Sequence, residues 1–119
     1  ARTHHAWSPK PVEDAVLKEL YELAKWGPTS LNAAPARILF IKTDALKEKL
    51  YPALMGSNVE QVRQAPVTAI IAHDMKFYEK LPALMPAIPN AKSYFEGNEA
   101  FTYETALRNS SLQGAYLLM

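Results

Sequence analysis

The sequence predicts a domain of mixed helix and strand. Three observations lead there: an amphipathic helical pattern early in the chain, two short continuous apolar runs of strand length, and a long apolar helix at the far end. The chain has 119 residues, of which 49% are hydrophobic, so it is of single-domain size and has enough apolar material for a core.

Composition removes several function classes. Thirteen basic and twelve acidic residues leave a formal net charge of +1. That balance makes no electrostatic case for nucleic acid or an anionic membrane surface. There is no cysteine, which excludes disulfides, thiolate nucleophiles and Cys-based metal sites within these residues. Such a chain fits a reducing compartment, and a cytoplasmic location is expected. No apolar run is long enough to cross a bilayer, and nothing near Ala1 resembles a signal peptide.

The first ten residues carry Arg2, Thr3, His4, His5 and Trp7 ahead of Pro9. Arg2 has the donors to clamp a phosphate, although an isolated N-terminal Arg is more often merely solvated. His4 and His5 are adjacent and lack a helical partner, so no metal site is expected. Glu13 to Trp26 has the spacing of an amphipathic helix, with Val16, Leu20, Leu23 and Ala24 as the apolar face and Leu17 and Tyr21 flanking it. Glu13 and Asp14 suit its N-terminal end.

Lys25-Trp26-Gly27-Pro28-Thr29-Ser30-Leu31-Asn32-Ala33-Ala34-Pro35-Ala36-Arg37 joins this helix to the first strand. Gly27 is expected to take the left-handed conformation after the helix, and Pro28 cannot continue the ladder. Pro35 should push Ala34 towards an extended shape. Between the prolines, Thr29, Ser30 and Asn32 offer hydroxyl and amide groups without charge, suited to a flat, polar-edged ligand. An ordinary connection whose polar side chains satisfy turns has the same features, and composition alone favours it.

Arg37 to Lys42 and Val67 to Ala72 are predicted strands, apolar enough to be buried on both faces. Thr43 or Asp44 should cap a helix running to about Tyr51, with Pro52 interrupting it. Met55 to Asn58 is predicted as a turn and Val59 to Ala65 as a short helix. His73 to Asn90 is broken by Pro82, Pro86 and Pro89 and is predicted to be an excursion, either a lid or a surface connection. Asn98 is a good N-cap for a final helix to Met119. Ala106, Ser110 and Gly114 form a small-residue stripe expected to admit another helix, and the surrounding apolar bulk predicts burial, as a central helix or a subunit interface.

There is no phosphate-binding Gly loop, no GxSxG and no HExxH. Ser110 and Ser111 have no evident His partner, and His73 is as readily a loop histidine as an acid or base. The residues themselves offer no catalytic side chain, so any enzymatic chemistry would fall to a cofactor.

Taken together, Ala1-Arg2-Thr3-His4 with Trp7, the Lys25–Arg37 stretch, Ala65-Pro66-Val67-Thr68-Ala69-Ile70 and Arg108-Asn109-Ser110-Ser111 resemble the FMN-dependent nitroreductase family. The nearer likeness is to the branch containing malonic semialdehyde reductase of the Rut pathway and NAD(P)H nitroreductases. The resemblance implies an α+β fold: a central, mostly antiparallel sheet flanked by helices around a long buried central helix. It implies a homodimer with FMN at the interface, NADH or NADPH as donor, and ping-pong hydride transfer through flavin N5. The acceptor would be a nitroaromatic, a quinone or a small aldehyde. Arg2, Thr3 and His4 would hold the FMN phosphate and ribityl chain, Pro28, Thr29, Ser30 and Asn32 would lie against the isoalloxazine, and Asn58 and Gln61 would touch its edge. Gln61 stands where the family has Lys, keeping a donor and losing a charge. The family's later basic phosphate ligands have no counterpart in these residues.

The competing expectation is a non-catalytic flavin-binding or dimerisation chain. Only two strands are predicted, and the final helix lacks a stop signal, so residues 1–119 are expected to form one incomplete domain, the N-terminal part of the fold. Such a polypeptide alone should fold poorly and hold FMN weakly.

Overall fold

The computed structural model describes residues 2–119; Ala1, the first residue of the Ala1-Arg2-Thr3-His4 motif, lies outside the described residues. In chain order the elements are α1 (Asp14–Ala24), β1 (Ala36–Ile41), α2 (Asp44–Glu48), α3 (Gly56–Gln64), β2 (Thr68–His73), α4 (Leu81–Leu84) and α5 (Glu99–Leu118). Single 3₁₀ turns at Ser30–Asn32, Tyr51–Ala53, Phe77–Lys80 and Ala91–Tyr94 join them. The strands pair antiparallel, Ala36 opposite His73 and Ile41 opposite Thr68. The α+β character and antiparallel pairing agree with the expected fold.

Several local expectations are corrected. α1 forms, but Leu17 is its buried residue, whereas Val16 and Leu23 are exposed. The buried stripe is therefore rotated by about one residue from the expected face. α3 begins at Gly56 and so absorbs most of the predicted turn. Pro52 interrupts nothing: α2 has already ended at Glu48, and Pro52 sits inside the next 3₁₀ turn, where an early-position proline is tolerated. The strands are not buried on both faces. Ile41 is the only fully buried residue in either strand, and Leu39 is 52% exposed. With two strands paired, each has only one hydrogen-bonded neighbour.

The predicted excursion is neither lid nor surface connection. It and the residues just after it supply Phe77, Leu81, Ala91 and Phe95, which with Ala33 and Ala106 make the main buried cluster. The Phe77 ring meets Phe95 edge-on at 4.9 Å, a favoured aromatic geometry. The prolines shape short helical turns without preventing burial.

α5 is capped as expected, Asn98 Oδ1 accepting from the Phe101 N–H at 3.2 Å, and runs centrally along both strands and α1. The residues it buries are small or polar: Thr102, Thr105, Ala106, Asn109 and Ser110. Phe101, Leu107, Leu112 and Leu118 face outward. Close packing selects small side chains, and their hydroxyls are satisfied locally, Ser110 Oγ donating to Ala106 O at 2.7 Å and Thr102 Oγ1 to Asn98 O at 2.8 Å. The expected helix–helix contact of the stripe is corrected at Gly114, which lies against Ile71 of β2, an added Cβ sitting 3.4 Å from that side chain, whereas Ala106 is buried in the cluster that includes Leu81 of α4.

The radius of gyration is 16.7 Å, against about 13.5 Å for a compact chain of this length. The elongation and the outward apolar face of α5 together leave much hydrophobic surface uncovered.

Candidate functional site

Two groups of residues were expected to meet a ligand, and the fold positions each differently. The N-terminal segment carries Arg2, Thr3 and His4, all exposed. It is laid beside α3 by a side-chain contact, Gln61 Nε2 to His5 Nδ1 at 2.6 Å. If the amide donates here, the ring holds its own proton on Nε2 and Gln61 retains a second N–H. Asn58, one turn earlier on α3, is exposed. The helix is anchored from below by Lys47. Although 4% exposed, its ammonium donates to Ala65 O at 2.6 Å and Arg63 O at 3.4 Å, serving carbonyls at the end of α3. From sequence, His5 is weighed only as a metal ligand and set aside, and Lys47 is not distinguished, since the role of each depends on a contact distant along the chain.

The second group is the loop from Pro28 to Ala36. Its backbone departs from expectation at both ends. Gly27 does not have a positive φ; the left-handed residues are Leu31 (53°), Asn32 (52°) and pre-proline Ala34 (40°). Gly27 is required for space instead, because Tyr116 of α5 lies over it. Thr29 is half-buried and its Oγ1 accepts from the Ala34 N–H at 3.1 Å. Ser30 is exposed and its N–H donates to Asn109 Oδ1 at 2.8 Å. Asn32 is exposed and its Nδ2 donates to Leu84 O at 2.9 Å. Pro28 O accepts from the Tyr116 hydroxyl at 2.8 Å. Of the α5 partners of this loop, Asn109 stands in a motif read from the sequence but with no role assigned to it, and Gln113 and Tyr116 were not singled out. Two amides four residues apart on one face of the final helix were the available signal.

Asn32, Ala34 and Gln113 border a cleft of about 1040 Å³ between α1 and β1, with Tyr21, Trp26 and Arg37 among its other walls. Of the four loop residues expected to contact a ring system, Asn32 is the one on this wall. No hydrogen bond among the described residues joins the loop to the N-terminal segment or to α3.

Arg37 reaches from β1 to Asp74, with Nη2 to Oδ2 at 2.5 Å. Burial alone would raise the Asp74 carboxyl, but the Lys76 N–H and the Arg37 charge outweigh it and hold it below its ordinary 3.8. A carboxylate depressed in the folded state stabilises above its unfolded pKa, and that stabilisation is lost as pH falls through the folded value. Unfolding free energy should therefore decline below about pH 4, and Asp74→Asn should flatten that decline in acid titrations followed by circular dichroism. An acid limb of unchanged steepness in Asp74→Asn would refute this role.

A smaller hollow of about 460 Å³ brings His73 to the same wall as Ser110 and Ser111. It forms no nucleophile–base pair: both hydroxyls donate to α5 carbonyls, Ser111 Oγ to Leu107 O at 2.8 Å, and His73 stands edge-on to Tyr103 at 5.6 Å. His73 ends β2 and is not a loop residue. Among the described residues there is no cluster of three or more His, Cys, Asp or Glu suited to a metal, and no helix is long and apolar enough to cross a membrane.

A family model described as Nitroreductase family matches residues 1–117. A Polynucleobacter asymbioticus protein provisionally named NADH dehydrogenase/NAD(P)H nitroreductase is 54% identical over all of this chain and 60% of its own length. A Burkholderia lata protein with the same provisional name is 53% identical, again over 100% of this chain and 60% of the relative. The chain thus spans about three fifths of the relatives it matches. Among solved structures, ydfN of Bacillus subtilis, provisionally described as a nitroreductase, superposes with a TM-score of 0.85 at 19% identity, covering 98% of this chain and 63% of that one. A similarly described Exiguobacterium sibiricum protein, solved in complex with FMN, gives 0.83 at 21% identity, with the same coverage. At these identities the two structures speak for the fold.

Proposed function

Because this chain belongs to the nitroreductase family, we propose that it works as the flavin-binding part of an NAD(P)H-dependent FMN oxidoreductase. The observation that carries this reading is the docking of the N-terminal segment on α3 through His5 and Gln61. That contact joins one imidazole to one amide; with the guanidinium of Arg2, the hydroxyl of Thr3 and the amide of Asn58, each close along the chain to one of the two partners, it would make a donor set that fits a phosphate-bearing, polar-edged ligand such as FMN.

In this reading Arg2, Thr3 and His4 hold the phosphate and ribityl chain, and Asn58 and Gln61 meet the ring edge. Pro28, Thr29, Ser30 and Asn32 pack on the ring. Since this loop and the N-terminal segment share no hydrogen bond within the chain, the two groups would be completed across a homodimer, and the outward apolar face of α5 supports that arrangement. FMN, when bound, supplies hydride transfer between NAD(P)H and an electrophile, and no side chain need act as a nucleophile. The neutral Gln61 supplies hydrogen bonds without the charge of a lysine. Acceptors of the class are nitroaromatics, quinones and small aldehydes such as malonic semialdehyde.

The test is flavin absorbance of the purified full-length protein, FMN titration, and NAD(P)H oxidation with each acceptor. Bound FMN and acceptor-dependent oxidation are expected; a colourless protein that binds no added FMN would defeat the reading. Arg2→Ala should weaken FMN binding about ten- to a hundredfold through loss of a charge-assisted bond, with little change in apoprotein melting. Unchanged affinity would remove Arg2 from the site.

A further inference from the structure

Leu31, Asn32 and Ala34 have φ values of 53°, 52° and 40°. L-residues enter this region at a cost, and outside glycine and Asn or Asp they seldom stay there unless the surroundings hold them. Asn32 suits the conformation by its nature; Leu31 and Ala34 do not.

Beside the Thr29 Oγ1–Ala34 N–H and Asn32 Nδ2–Leu84 O bonds, one face of α5 does much of the holding. Asn109 Oδ1 accepts from the Ser30 N–H at 2.8 Å, Gln113 Oε1 from the Ala36 N–H at 2.9 Å, and the Tyr116 hydroxyl donates to Pro28 O at 2.8 Å. Positions 109, 113 and 116 follow helical spacing along a single face. The three bonds fall before, at the entry to, and after the left-handed stretch. Asn109 is itself oriented: it is 8% exposed and its Nδ2 donates to Thr105 O at 2.8 Å, which turns Oδ1 towards Ser30. Tyr116 is located by its packing over Gly27.

We infer that Asn109, Gln113 and Tyr116 form a positioning clamp that keeps the 28–36 loop in its left-handed conformation, the one that presents Thr29, Ser30 and Asn32 to the flavin. This role rests on the flavin reading above. The clamp acts through the loop. With a bond removed, the loop relaxes towards ordinary φ values, the binding-competent population falls, and apparent affinity falls by the same fraction.

The experiment uses the full-length protein, with FMN as the probe, and compares Gln113→Leu, Gln113→Glu and Tyr116→Phe. Gln113→Leu deletes the acceptor, whereas Gln113→Glu keeps one. Amide exchange at Ser30 and Ala36 should quicken about tenfold in Gln113→Leu, and the FMN dissociation constant should rise by a similar factor. Gln113→Glu should return both to within about twofold of wild type. Tyr116→Phe should shift both in the same direction as Gln113→Leu. Unchanged exchange in Gln113→Leu and Tyr116→Phe would overturn the clamp. Faster exchange with unchanged FMN affinity would overturn its link to the ligand, as would failure of Gln113→Glu to rescue. If wild type binds no FMN, the flavin reading and the ligand link fall together, while exchange still decides whether α5 holds the loop.

Discussion

Phe77→Ala should lower the unfolding free energy of the full-length protein by about 3–5 kcal/mol, the usual cost of removing a buried aromatic ring. Phe77 is 0% exposed and sits where the chain enters the Phe77–Lys80 turn, with Phe95 edge-on and Leu81, Ala91, Ala33 and Ala106 closing the cluster around it. The loss combines the transfer free energy of the ring with the cavity left behind, since turns joined by prolines have little freedom to collapse inward. Ala33 belongs to this cluster and Leu31 packs on it, so FMN retention should also fall as the loop loses its floor. Denaturant unfolding monitored by circular dichroism measures the effect. A change below about 1 kcal/mol, the typical value for any point substitution, would mean that residues 77–95 are not core.

Gly27→Ala is expected to cost about 2–4 kcal/mol, although it adds one methyl group. Its Cβ would land on the Tyr116 ring at Cγ, Cδ2 and Cε2. Those atoms are near the root of the side chain, and the hydroxyl end is tied to Pro28 O, so the ring has no cheap way to swing aside. Overpacking accounts for about 1–3 kcal/mol and the strained or broken hydrogen bond for about 1 more. Gly56→Ala is the control. Nothing lies within 4 Å of its added Cβ, and the change should be neutral or mildly stabilising. In a Tyr116→Ala background the Gly27→Ala penalty should largely disappear, because the two residues share one contact. An undiminished penalty there would show that the ring is not the cause.

The differences between sequence and structure have a common physical origin. Apolar periodicity in α1 marked a helix correctly but placed its buried stripe one residue out, because neighbours choose among the angles an apolar face allows. Pro82, Pro86 and Pro89 suggested that His73 to Asn90 is an excursion, either a lid or a surface connection. Proline forbids long helices and does not forbid burial, and the aromatic residues between the breaks were the better guide. In α5 the inward side is chosen by steric fit against the sheet and the 77–95 cluster, so Thr102, Thr105 and Ser110 are buried while Phe101 and Leu112 are not. At Gly27 and Ala34, local backbone rules gave way to contacts from α5 and from within the loop.

By itself the sequence determined the α+β class, the places of the two strands and of the long capped helix, the lack of thiol chemistry within these residues, and the family to which the chain belongs. These depend on composition, on periodicity and on motifs read along the chain. Tertiary structure alone decided that Gln61 meets His5, that Lys47 serves the end of α3, and that Asn109, Gln113 and Tyr116 hold a loop 77 to 88 positions away. Each of these joins hydrogen-bonding groups remote in sequence. A single hydrogen bond of that kind contributes only about 1 kcal/mol net, too little to impose a pattern on the chain, yet enough to orient a side chain once packing has brought the segments together.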